Sequence, residues 1–422
     1  MKCKKLLILG ATAGEIALIR RAQAQGIYVI ATDNHMDYSL APAKRIANEA
    51  WDISWSDLDE LEKRCRAERI NGVLAGYSEF RVDNMMQLCK RLGLPCYINQ
   101  EQLDITRDKI KFKECCRKYG VPVVKEYESV GDVDEYPVIV KPTDRAGSIG
   151  ISIAKNKEEL LKACQYAYDL SVGKHVIIEK YISDTDADKV DFYYLAEAGK
   201  LTLLSSCDTI NAKNNGMSKV VQSAWLYPER HIEAYNRKVR SRIEAMIQGM
   251  GIQYGCIFFS GFIDKDQEFV FFECGFRLEG AHQAYYVQKK GPVNFLDTFI
   301  QHALYGSTDG VERTPVNEKM KCVTVNVFAK TGTIAKIEGP SEIAQMQDCT
   351  LSLLHGRIGQ KCTDDSAILS KIYVFAFSSE SVEELKLDVE KAYAKLKITD
   401  EHGKDMIYDR MDPEEILTWW NA

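Results

Sequence analysis

The sequence predicts an α/β chain that passes into α+β: a parallel α/β domain over residues 1–100, an α+β domain over 101–317 and a small α+β domain over 318–422. Three observations predict this. The first hundred or so residues alternate strand-length apolar runs with helix-period segments, the pattern of a parallel sheet covered on both faces. From Thr106 the pattern changes to strand runs joined by short polar turns, which are antiparallel pairs. A last block beginning near Glu318 repeats that antiparallel pattern and adds one long helix.

In the first domain, residues 5–10 read as a strand and 14–25 as a helix with Ile16, Ile19 and Ala22 on one face. Residues 28–33 form a second strand, 57–68 a helix opened by Ser56 and Asp57, 72–77 a third strand, and 81–92 a helix stopped by Gly93 and Pro95. Further on, 108–119 is helical, 137–142 a short strand, 151–154 a strand, 157–168 a helix and 175–182 a strand. Residues 191–196 and 201–207 pair around 197–200, residues 233–249 form a long amphipathic helix, and 256–263 with 268–274 read as a hairpin. In the last block, 323–329 and 334–337 read as a hairpin about 330–332, followed by a strand at 372–378 and a helix at 381–396.

The chain has 422 residues, 45% of them hydrophobic and 27% charged, with a net charge of −6. That composition excludes disordered, collagen-like and coiled-coil classes. The acidic balance argues against a broad basic surface for nucleic acid. No apolar run reaches the roughly 18 residues of a membrane span. Lys2 to Lys5 before Leu6–Leu9 has the start of a signal peptide, but the apolar run ends at Gly10 and passes into Glu15 and Arg20, so a first strand is the reading. Thirteen cysteines with no CxxC pair predict reduced, buried thiols rather than a disulfide framework or structural zinc. The expectation is a cytoplasmic protein with no nucleic-acid and no membrane partner.

Four features carry chemistry. Asp108-Lys109 heads a helix; alone, it is a solvated lysine. Lys141 closes the apolar run Pro137–Pro142, where a buried ammonium needs an anion that a phosphate would supply, unless the lysine simply leaves the strand for solvent. The loop from Asp144 to Gly150 offers backbone N–H groups at Gly147 and Gly150 and the hydroxyl of Ser148. Finally, Glu273 lies in the aromatic run Phe271-Phe272-Glu273-Cys274-Gly275-Phe276-Arg277. A carboxylate there needs a cation such as Mg²⁺, and Arg277 could hold a phosphoryl oxygen or a carboxylate by a bidentate contact. The alternative is a Glu273–Arg277 ion pair. Near the start, Gly10 to Gly14 followed by Asp33 lacks the third glycine of a dinucleotide fingerprint and reads as a tight strand-to-helix turn rather than a cofactor site.

Together these residues resemble the ATP-grasp superfamily, in its carboxylate–amine ligase branch with phosphoribosylglycinamide synthetase, biotin carboxylase and the carbamoyl phosphate synthetase large chain. The resemblance covers most of the chain. It implies a pre-ATP-grasp domain over 1–100, a two-lobed ATP-grasp domain over 101–317 with a glycine-loop lobe at about 136–182, and a C-terminal domain over 318–422. It implies that Lys109 and Lys141 contact ATP phosphates, and that Gly147, Ser148 and Gly150 form the mobile loop. It matches 176–182 to the adenine-clasping strand, so that Glu179, Lys180 and Ile182 are cofactor contacts, Lys180 and Ile182 through backbone groups. Asp186 and Asp188 are both candidates for the ribose acid, with Asp188 counted among the cofactor contacts. Glu273 becomes the metal ligand, and Arg277 with Lys141 the catalytic pair.

Two positions depart from the family. Its last motif reads E-x-N-x-R, but Gly275 stands in place of the asparagine, and Gly261 stands where a first metal carboxylate is expected. Glu279 or a substrate phosphate could compensate, and His282 is a candidate substrate contact. The resemblance implies ATP, Mg²⁺ (or Mn²⁺), a small carboxylate and an amine or thiol as reactants, an acyl phosphate intermediate, and a homodimer as the usual state. Residues 205–227, with Asn211, Lys213, Asn214 and Asn215, would line the substrate cavity. Two alternatives stand beside the ligase: a nucleotide-binding protein with weak or no turnover, and a nicotinamide oxidoreductase using Gly10–Gly14 and Asp33.

Overall fold

A computed structural model of the chain describes residues 3–145, 149–183, 186–213, 221–280, 283–363 and 371–421. Strands Lys5–Leu9, Tyr28–Thr32 and Gly72–Ala75 form a parallel sheet with a fourth, Glu49–Trp51, at its edge beside Tyr28–Thr32. Leu6 to Leu9 are all fully buried, as a parallel strand covered on both faces requires. Glu49–Trp51 is not among the expected strands, since three residues are too few for a period to show. The Asp57 carboxylate accepts from the Glu60 N–H and starts helix Leu58–Glu68, while Gly93 at φ 68° ends helix Glu79–Leu92.

A small antiparallel sheet follows, in the order Glu126–Tyr127, Val176–Lys180, Val138–Pro142, Ser152–Ala154. Helix Lys157–Leu170 covers it, with Leu160, Ala163 and Ala167 packed on Val138, Val140 and Ile178. The helix expected over 108–119 is preceded by a second, Gln100–Arg107. Asp108 separates the two in an extended conformation and caps helix Lys109–Lys118 by accepting from the Ile110 and Lys111 N–H groups. The long helix expected over 233–249 is broken at Val239 into Ile232–Lys238 and Arg240–Gly249.

The large sheet has eight antiparallel strands in the order Phe269–Phe276, Tyr254–Asp264, Ala187–Glu197, Lys200–Asn211, Gln222–Tyr227, Lys321–Phe328, Lys371–Ser379, Cys349–Leu354. One face carries Val190, Phe192 and Tyr194 and packs on the helices, with Phe192 stacked on Tyr235 at 3.6 Å between ring centroids. Alternation along the strand puts Lys189, Asp191 and Tyr193 on the opposite face. The hairpin expected over 323–337 does not form. After Phe328, the Lys330 N–H bonds to the Met406 carbonyl, Gly332–Thr333 pairs with Lys361–Cys362, and Lys336–Glu338 pairs with Lys397–Thr399. Partners distant in sequence outcompete the local turn.

Candidate active site

The two lysines singled out in the sequence meet at the end of one strand. Lys109 opens its helix beside the end of Val138–Pro142, its N–H bonded to the Thr143 carbonyl at 3.3 Å and its Nζ to the Arg145 carbonyl at 2.9 Å. Lys141 is buried and donates from Nζ to Glu179 Oε2 at 2.6 Å, with its ammonium 4.9 Å from the centre of the Phe272 ring. Glu179 takes a second ammonium, that of the fully buried Lys113, which also lies 3.5 Å from Glu126 Oε1. Burial works against the Glu179 carboxylate, but Lys141 and Lys113 hold its pKa below the ordinary value. For Lys109, burial is the largest influence and lowers the pKa; Glu273 opposes it and the Lys141 charge adds to it. Lys109, Lys141, Glu179 and Glu273 thus share one electrostatic neighbourhood.

A cleft opens beside them, lined by Glu79, Arg107, Lys109, Arg145, Glu273 and Arg277. Arg277 does not pair with Glu273. Its Nε and Nη2 both bond to Glu79 Oε1, at 2.7 and 2.6 Å, its Nη1 bonds to the Leu278 carbonyl at 2.8 Å, and it lies 5.3 Å from the Phe258 ring centre. Glu79 is the first residue of helix Glu79–Leu92, so the parallel α/β domain contributes a wall of the cleft. Burial raises the Glu79 pKa, but Arg277 outweighs it and the net shift is downward. Glu273 is left facing the cleft, opposite Ser260 in the hairpin; Ser260 in turn lies opposite Asp191 on the next strand. Glu273, Ser260 and Asp191 therefore form one row across three strands.

Residues 105–195 match the family model described as D-ala D-ala ligase C-terminus. The fold is that of L-amino acid ligase from Bacillus licheniformis, with a TM-score of 0.75 at 18% identity, covering 95% of this chain and all of that one. The biotin carboxylase domain of Hydrogenobacter thermophilus 2-oxoglutarate carboxylase, solved as a dimer with MgADP, ADP and bicarbonate, gives 0.76 at 18% identity over 98% of each chain. This chain has the ATP-grasp fold. In sequence, it is 29% identical over 258 residues to the 2-oxoglutarate carboxylase small subunit of the same organism, 54% of this chain and 52% of that protein. The chain thus spans about half the length of the curated relatives it matches.

Within the ATP-grasp fold, both departures are held in place by packing. A Cβ on Gly261 would stand 2.8 Å from the Val270 carbonyl oxygen and 2.9 Å from Phe271 Cδ1, at the point where the hairpin register shifts. A Cβ on Gly275 would stand 2.5 Å from Phe258 Cζ. Phe258 fills the room that a side chain at 275 would need, while Gly261 pairs with Val190 and faces Phe271 in the helix-packed core, so the register puts Ser260 and not Gly261 at the place opposite Glu273 where a metal carboxylate was expected. Gly261→Ala should therefore cost about 1–3 kcal/mol, measured as a lower urea midpoint.

Other expected contacts fall differently. Gly150 is left-handed at φ 76°, and a Cβ there would lie 2.6 Å from Pro142 Cγ, so glycine is required beside the lysine-bearing strand. Gly147, Ser148, His282, Asn214 and Asn215 lie outside the described residues. The Glu179 side chain is committed to Lys141 and Lys113. The Lys180 N–H is bonded to the Lys125 carbonyl at 2.9 Å, and its strand ends there, leaving Ile182 half-buried in an irregular segment. In this arrangement that N–H is therefore already taken. Asp188 does not reach the cleft, because alternation puts it on the helix-packed face with Val190. It bonds there to Arg230 Nη2 at 2.8 Å and His231 Nε2 at 2.9 Å. Asp186 is bonded to Ser183. Lys213 is tied to the C-terminal segment, by its N–H to Asp409 and its Nζ to Glu415.

At Gly10–Gly14, the Thr12 N–H and Oγ1 both donate to Glu15 Oε2, at 2.8 and 2.6 Å, and Asp33 holds His35 Nδ1 at 2.6 Å. The chain's own carboxylate sits where a dinucleotide phosphate would be received, and the nicotinamide alternative gains no support from the matched proteins. Sequence reasoning missed Glu79, Lys113 and Asp191. Lys113 was within reach of it, four residues after Lys109 and so on the same helix face. Among the described residues, no helix is long and apolar enough to cross a membrane.

Proposed function

We propose that this chain is an ATP-dependent ligase that joins a small-molecule carboxylate to an amine (or thiol) through an acyl phosphate, releasing ADP and phosphate. The observation that carries this reading is the meeting of Lys109, Glu273 and Arg277 at one cleft, with Lys141 buried beside it on Glu179. The matched proteins support it: one is an L-amino acid ligase, and another was solved with MgADP. The cleft also suits the cation, since Glu273 faces it with no ion pair among the described residues and the neighbouring carboxylate of Asp191 has a buried oxygen without a hydrogen-bond partner. Glu273 would hold Mg²⁺ or Mn²⁺, which neutralises phosphate charge when bound.

Lys109 and Lys141 then grip the triphosphate. Lys141 exchanges part of its contact with Glu179 for phosphate oxygens, and Lys113 keeps Glu179 neutralised as it does so. Arg277, freed from Glu79 or shared with it, orients the transferred phosphoryl group or the acceptor carboxylate. The acceptor and nucleophile are of amino-acid or small-peptide size, and two copies associate as a homodimer.

A phosphate-release screen with Mg·ATP against pairs of amino acids and small carboxylic acids tests the reading. Glu273→Gln should abolish release on every productive pair while circular dichroism stays native. Wild-type-like turnover in that variant removes the assigned role. Tight Mg·ADP binding with no release on any pair supports the second reading, a nucleotide-binding protein without ligase turnover, which Gly261 and Gly275 favour.

A further inference from the structure

We propose that Asp191 supplies a second metal-binding carboxylate beside Glu273, where the paired position on the strand between them carries Ser260 and not an acid. The inference rests on the ATP-dependent reading above, and three observations support it. Gly261 pairs with Val190 and turns toward Phe271 in the helix-packed core, so the residue of that strand on the face of Glu273 is Ser260. Ser260 pairs with Glu273 on one side and with Asp191 on the other, so the two carboxylates stand on the same face with a hydroxyl between them. Adjacent strands are about 4.8 Å apart, which puts the two α-carbons roughly 10 Å apart and lets both side chains lean toward a hydrated cation or a pair of cations between them.

The third observation is the state of Asp191 itself. It is only 4% exposed. Its Oδ2 accepts from Thr209 Oγ1 at 3.3 Å, with Cys207 Sγ at 3.9 Å, while Oδ1 is buried with no hydrogen-bond partner. A carboxylate oxygen held away from water without a partner carries a desolvation cost that a bound cation relieves. The cation nearest along the strand, Lys189, has its ammonium 5.4 Å from the centre of the Phe272 ring. Lys189 and Lys141 thus both lie against the Phe272 ring.

The test uses Mn²⁺ as the probe, in the presence of a non-hydrolysable ATP analogue, with free Mn²⁺ read by electron paramagnetic resonance. Asp191→Asn should weaken Mn²⁺ binding at least about tenfold with circular dichroism unchanged, and Glu158→Gln, an exposed carboxylate paired with Lys162 on helix Lys157–Leu170, should leave binding at the wild-type level. Equal affinity in Asp191→Asn and wild type overturns the inference and leaves the ligase reading standing. Failure of the wild type to bind Mn²⁺ with nucleotide overturns both. Should the asparagine variant fail to fold, Fe²⁺ with ascorbate and peroxide cuts the wild-type backbone beside metal ligands. Cleavage at both 191 and 273 supports the assignment, and cleavage at 273 alone overturns it.

Discussion

Glu179→Leu should lower stability by about 3–5 kcal/mol, the largest loss expected of a single substitution in the small lobe. Glu179 is 1% exposed and neutralises Lys141 and Lys113 together. Leucine fills the volume but strands the Lys141 ammonium away from water and leaves Lys113 with Glu126 alone at 3.5 Å, and an unpaired buried charge costs far more than a buried pair contributes. The measurement is the urea midpoint at pH 7, with Lys113→Met as the milder companion because it leaves Lys141 paired. The pH dependence has a definite sign. The folded pKa of Glu179 lies below its ordinary value, so its contribution is present above the ordinary carboxylate range and is lost as pH falls through the folded value. Glu179→Leu lacks that contribution at every pH, so its deficit should narrow on acidification. A midpoint equal to wild type at pH 7 would show that the cluster carries little of the lobe's stability.

Lys141→Ala should cut ATP-dependent ADP release by about 10²–10³-fold while the fold survives. Alanine removes one ammonium from the phosphate side, but Glu179 keeps its contact with Lys113, so no carboxylate is left buried alone. Lys141→Arg should rescue poorly, because a planar guanidinium cannot occupy the same point between Glu179 and the Phe272 ring. The readout is ADP release at saturating ATP, beside a thermal midpoint for each variant. A Lys141→Ala protein with wild-type turnover would mean that Lys109 alone serves the triphosphate.

What was legible in the sequence was what depends on local pattern. Strands such as Lys5–Leu9 and Tyr254–Asp264 announce themselves by unbroken apolar runs, and caps such as Asp57 and Asp108 by position. Lys141 and Glu273 stood out because a charge in or at the end of an apolar run needs a reason, whereas Lys109 stood out only through the family resemblance. What was not legible depends on cross-strand register and on chain entering from afar. Arg277 takes Glu79 from nearly two hundred residues earlier, and nothing near either residue signals the pair. Asp188 and Asp191 look alike in sequence; only strand alternation sends one to the helices and the other to the face that bears Glu273. The pairing of Gly332–Thr333 with Lys361–Cys362 was hidden for the same reason.

The eight-stranded sheet runs unbroken from Phe269–Phe276 to Cys349–Leu354, with Gln222–Tyr227 hydrogen-bonded directly to Lys321–Phe328. A break in chain order near residue 318 therefore is not a break in the ladder. Cutting there would strip two strands of their neighbours and present raw edges, the kind that recruit other chains. The last hundred residues are thus less an appendage than the selvedge of the cloth, joined by a continuous weave of amides to the row that bears Asp191 and Glu273.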